Sequence, residues 1–265
     1  MCSSYYKPCT ASNSSCIMQY CPSAYRPAIE TCAMARLARL YAPDTPQLIQ
    51  VRFHRALASA HEPTPSATLD SLAAWFRDAA LEERVPVHGW TLLNDRLVLL
   101  GSPADKSAMS RMMQAFGRRF AARILKGRAF SERYRSALLQ PGAWVLPGLV
   151  WLEHLPVQQG YVDEAGRWPW SSAAQHTGQE APGSRWTSEH SDYWHLGNTP
   201  FERQARYRRL LEQGPSQSQA KQIEGALFGQ WALGDAQFLE RIGRESTRRL
   251  VPAKRGRPRK EVPTS

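Results

Sequence analysis

What most constrains the fold is the way the hydrophobic period switches between about two and about 3.6 residues along positions 48–153. Leu48-Ile-Gln-Val-Arg-Phe-His-Arg55 alternates as a strand does. Leu69, Leu72, Ala73, Phe76 and Ala80 then recur at helical spacing, with Ser66 or Thr68 placed to cap the helix and Glu82-Glu83-Arg84 closing it. Residues 85–93 and 96–100 predict two strands joined at Asn94-Asp95, a pair suited to a tight turn. Residues 107–126 predict a long basic amphipathic helix whose apolar side carries Met109, Met112, Met113, Phe116, Phe120 and Ile124. A short strand follows over 134–139. A helix over 142–153 has Pro147 near its start and Pro156 as its stop. The order β-α-β-β-α-β-α predicts the α+β class, an antiparallel sheet with helices packed on it.

The ends of the chain have a different character. Residues 1–33 are rich in Ser, Cys, Tyr and Pro, and are expected to be a disordered leader or an upstream extension, with Met34 as the natural start. All five cysteines lie there, with no C-x2-C pair, so neither a zinc site nor a disulfide framework is expected. The polar stretch 178–191 predicts a boundary between a domain over 34–178 and a helical region over 193–250, with helices at 201–212, 216–225 and 235–245. A tail over 251–265 closes the chain. No stretch approaches the roughly 18 consecutive apolar residues of a spanning helix, and no signal-type run opens the sequence, so no membrane partner and a cytoplasmic location are expected.

The formal net charge is +11. Such a surplus favours polyanionic partners, and its placement sharpens that reading. The helix over 107–126 carries Arg111, Arg118, Arg119, Arg123 and Lys126, and Arg128, Arg133 and Arg135 follow, with no acid between Lys106 and Ser131. This suggests a DNA-facing surface; a salt-bridged, solvated helix is the alternative. In the tail, Arg255, Gly256, Arg257, Pro258, Arg259 and Lys260 resemble an AT-hook core, suited to the narrow, strongly negative minor groove of A/T-rich DNA. Trp90, Trp144, Trp151, Trp168 and Trp170 could stack on unpaired bases, but core packing is the expected role of most.

Five short blocks, in order, resemble the REP-associated tyrosine transposases, DNA nickases of the His-hydrophobic-His class. They are Met34-Ala-Arg-Leu-Ala-Arg-Leu-Tyr41; His88-Gly-Trp-Thr-Leu-Leu93 leading into Leu97-Val-Leu-Leu100; Met109-Ser-Arg-Met-Met-Gln114 with Arg118-Arg-Phe120 and Arg133-Tyr-Arg-Ser136; Pro156-Val157 with Gly160-Tyr-Val162 and Trp168-Pro-Trp-Ser-Ser172; and Leu233-Gly-Asp235 with Phe238 and the basic tail. The resemblance implies a ferredoxin-like antiparallel sheet with packed helices, and hairpin or single-stranded DNA as partner.

It also implies a His-x-His pair that holds magnesium or manganese, and a tyrosine that attacks the scissile phosphate. At the matching positions this chain has Arg96 and Val98 for the histidines and Trp151 for the tyrosine. None of the three can ligate a metal or act as an oxygen nucleophile. The expectation is therefore a DNA-binding protein with a degenerate nicking site and no metal cofactor. Arg96 could neutralise a phosphate in place of the metal, or be a hairpin arginine with no such role. Two further readings stay open: an active metal-dependent tyrosine transposase, and an architectural or regulatory DNA binder working through the basic tail.

Overall fold

The computed structural model describes residues 38–59, 62–179, 185–246 and 248–252. The leader and the AT-hook-like residues Arg255, Gly256, Arg257, Pro258, Arg259 and Lys260 lie outside them. The periodic segments form β1 (Gln47–Arg52), α1 (Ser66–Glu82), β2 (Val87–Leu92), β3 (Arg96–Gly101), α2 (Ala108–Phe120) and β4 (Arg135–Leu139). They are followed by α3 (Val145–Gln158), the short α4 (Ala173–His176) and α5 (Ser191–Trp194), α6 (Pro200–Gln213), α7 (Gln217–Gly229), β5 (Ala232–Leu233) and α8 (Ala236–Glu245).

The sheet runs β2-β3-β1-β4-β5. Its first four strands are antiparallel neighbours and β5 joins β4 in parallel. A βαββαβ unit with that strand order is the ferredoxin-like arrangement. Opposed residues share a face, so the register fixes both sides of the sheet. Val51, Leu97 and Leu99 look toward α1 and α2, where Phe76 meets Trp90 at 5.8 Å. Gly89, Leu100 and Leu48 look toward α3. A Cβ on Gly89 would run into Leu149 of α3, so the glycine sets how closely that helix approaches.

The β2 edge is covered by chain from residues 168–188, which occupies its free backbone groups. Leu92 N donates to Trp170 O at 2.8 Å, Ser172 N to Trp90 O at 2.9 Å, and Ser188 N to Val87 O at 2.8 Å, all along β2. The Trp168 indole donates to Leu92 O at 2.9 Å. At the other edge α7 and β5 lie against β4. The described residues from 38 onward make one compact unit, and Tyr207 and Leu211 of α6 and Ile223 and Leu227 of α7 are buried in the same core as the sheet.

Some local expectations are corrected. Neither Ser66 nor Thr68 caps α1; Pro65 takes the cap position with no side-chain bond. Pro156 does not stop α3 but sits in its last turn. A proline there forfeits only one bond, and Gln159 N to Leu155 O (3.0 Å) and Tyr161 N to Pro156 O (2.9 Å) still close the helix end. The basic helix passes into a π-turn, Ala121–Leu125, before Lys126 ends it with φ of 47°. Its start is held by Asp105, whose carboxylate accepts from Ser107 N (2.7 Å) and Ala108 N (2.9 Å).

Candidate nucleic-acid interface

Arg96 and Val98 alternate along β3 onto the face that α3 covers, and Trp151 comes from α3 itself. The fold therefore gathers the three positions singled out by the sequence resemblance on one side of the sheet. Val98 is fully buried and Trp151 nearly so. The Arg96 guanidinium is bound by its neighbour Asp95, Nε to Oδ1 at 3.1 Å, which matches its charge locally. This side-chain set does not fit a divalent ion: one position is a cation and another a hydrocarbon. Among the described residues no three His, Cys, Asp or Glu side chains group closely enough to hold a metal.

The basic residues of α2 and the loop after it divide into two sets. Arg111 is drawn to Glu83 (2.6 Å) and Asp105 (3.0 Å), and Arg119 to Glu82 (2.5 Å) and Asp78 (3.8 Å). Asp78, Glu82 and Glu83 belong to α1 and its end, which packs beside α2. The acid-free run that local sequence suggested is thus supplied with acids from another helix. Arg135 pairs with Glu132 at 3.1 Å and lies over the Phe228 ring at 5.2 Å. By contrast Arg118, Arg123, Lys126 and Arg133 are exposed and make no ion pair among the described residues.

Arg118 and Arg133 also come together with Arg39 and Arg128 around a groove of about 630 Å³. It is lined by α2, the π-turn and residues 127–134, with Val51 from the sheet. Val51 faces α2, so the groove lies on the opposite side of the sheet from Arg96 and Val98. Four arginines meet one acid here, Glu132, and that acid is engaged by Arg135. Arg39 is fixed in place: its guanidinium lies 3.6 Å over the Tyr134 ring and donates to Ser110 Oγ at 3.3 Å. Ser110 is in turn 2.8 Å from the Tyr134 hydroxyl. Burial lowers the Arg39 guanidinium from its ordinary value, and its buried Nε has no hydrogen-bond partner among the described residues. Sequence reasoning reached Arg118, Arg128 and Arg133 through local basicity. It passed over Arg39, whose partners lie some seventy residues or more away.

Against this geometry the comparisons with known proteins are sparse. One solved structure, described as the REP associates tyrosine transposase bound to a REP hairpin, superposes with a TM-score of 0.43 at 14% identity, over 55% of this chain and 87% of that one. No protein-family model matches the chain. No curated protein matches it either.

A second polar centre has no precedent in the local sequence pattern. Glu153, fully buried in α3, accepts from the Tyr207 hydroxyl at 2.7 Å and lies 2.6 Å from His176 Nδ1. Ser172 Oγ donates to the same carboxylate and itself accepts from Trp90 N at 2.8 Å. Burial and the adjoining carboxylate push the Tyr207 phenol well up. The cluster ties α3, α4, α6 and β2 together and has no opening to solvent, which suits a structural joint and not a reaction site. Its one trace in the sequence is a lone acid inside the apolar run 149–155.

Proposed function

We propose that this protein binds DNA through the arginine groove beside α2 and does not cut it. The observation that carries this reading is the convergence of Arg39, Arg118, Arg128 and Arg133, with little opposing charge, on a chain of net charge +11. Exposed unpaired arginines release counterions when they meet phosphate, so the groove supplies affinity that depends on salt. Replacement of the two metal-ligand positions by Arg96 and Val98, and of the nucleophile position by Trp151, supports binding without nicking. The motif resemblance directs the choice of ligand to hairpin or single-stranded DNA. The AT-hook-like tail would add an A/T-rich minor-groove contact.

The test is binding of the full chain to labelled DNA hairpins, linear single strands and A/T-rich duplex across a salt series. Hairpin preference that persists at moderate salt is the expected result. The double substitution Arg118→Ala, Arg133→Ala should lower affinity roughly tenfold or more and flatten the salt slope by about two. EDTA should leave affinity unchanged, and no covalent protein–DNA adduct should form with manganese. Unchanged affinity in the double variant, or a manganese-dependent adduct, would overturn the reading.

A further inference from the structure

We infer that the arginine groove is a pocket for one unpaired base of a DNA strand, with the flanking phosphates held at its rim. This deepens the proposed DNA-binding function and rests on it.

The pocket is amphipathic in the way a nucleotide is. Its apolar lining comes from Val51, Met113, Gly117, Ala121, Ala129 and Phe130, and its charge from the four arginines. A volume of about 630 Å³ is ample for a purine nucleotide and too small for a duplex. Phe130 is half-buried, packed at 5.9 Å from Phe116 and 6.5 Å from Phe120. Gly117 allows this: a Cβ there would sit 2.6 Å from the Phe130 ring. The loop after the π-turn, packed against Gly117 of α2, thus presents an aromatic residue at a pocket wall where any base can stack, since every base has a π-face.

Arg39 supplies the polar end. Its guanidinium is held in place, 3.6 Å over the Tyr134 ring and bonded to Ser110 Oγ at 3.3 Å. The guanidinium lines the pocket, and its terminal N–H groups not taken by Ser110 can donate to a base-edge carbonyl, a ring nitrogen or a phosphate oxygen, acceptors that an apolar ligand lacks. A double helix keeps its bases stacked and out of reach, so the pocket selects looped or single-stranded nucleotides.

The experiment uses the full chain and a panel of DNA hairpins in which each loop base is made abasic in turn. The intact hairpin should bind about tenfold tighter than one of the abasic versions, the scale of a single base-stacking contact. Gln114 is exposed and lines the pocket, so Gln114→Trp should fill it without touching the arginines. That variant should bind intact and abasic hairpins equally and keep the wild-type salt slope. Ala121→Trp, at the other end of the same wall, is the second variant if the first fails to fold by circular dichroism. Binding that ignores every abasic substitution, or base dependence that survives both fillings, would overturn the pocket while leaving DNA binding intact. Binding of free adenosine monophosphate as tight as that of the hairpin would overturn the commitment to a strand. Absence of binding to any DNA would overturn the proposed function and this inference together.

Discussion

Removing the Glu153 carboxylate would leave His176 and Tyr207 buried without their acceptor. Glu153→Ala should therefore destabilise the protein by about 2–5 kcal/mol, the scale of leaving more than one buried hydrogen-bonding group without its partner. Tyr207→Phe, which removes one donor and keeps the ring, should cost about 1–3 kcal/mol. Urea midpoints of the two variants check the order. His88 gives a second residue-scale outcome. Its ring sits between Ser188 O at 2.8 Å and Ser102 Oγ at 2.9 Å, edge-on to His190. Burial pushes its pKa down to about 4, against the pull of the Ser188 hydrogen bond and with help from His190. As pH falls from about 6.5 toward 4 the unfolded chain takes up the proton first, so stability falls. The contribution is whole above pH 6.5 and reaches about 3 kcal/mol of loss at pH 4. Measured as the difference between wild type and His88→Gln, the urea midpoint should show this loss on acidification; parallel curves would contradict it.

At the scale of elements, α3 approaches the sheet on terms set by one small residue. Gly89 on β2 admits Leu149, and substitution by alanine forces α3 outward. Gly89→Ala should cost about 1–3 kcal/mol through overpacking. The effect should be smaller in a Gly89→Ala, Leu149→Ala double variant than the two single effects add to, which a thermal-melt cycle reads directly. α6 and α7 carry their own stop and start signals. Thr199 with Glu202 and Ser216 with Gln219 each form a capping box, with Pro200 at the first position of α6. The placement of α6 and α7 was therefore readable locally, although α7 runs to Gly229, past the expected end at 225.

At the scale of the whole molecule, the helices expected as a region of their own over 193–250 complete the core of the sheet. Tyr207, Leu211, Ile223 and Leu227 are buried with it, and Tyr207 bonds to Glu153 across layers. A chain ending at residue 179 should consequently lack a cooperative thermal transition and bind hydrophobic dye, while residues 38–265 should unfold in one step. Calorimetry of the two distinguishes them. The spread of positive charge follows the same packing. α1 neutralises one side of α2 through Asp78, Glu82 and Glu83, and Arg118 on the groove side makes no ion pair among the described residues.

Local pattern was enough to place the strands and helices of the βαββαβ unit. Alternation at Leu48–Phe53 and helical spacing at Leu69–Ala80 or Met109–Phe120 are local consequences of burying one face. The sequence also shows that Arg96, Val98 and Trp151 cannot form a metal and nucleophile site, because side-chain chemistry needs no neighbours to be read. Which arginines stay free was settled by packing between distant segments. Arg111 and Arg119 are neutralised by residues 28 and 37 positions away, whereas Arg118 and Arg133 are left to join Arg39. The same packing brings Glu153, His176 and Tyr207 together, since electrostatic and hydrogen-bond partners are set by distance in space, to which a linear pattern of polarity is blind.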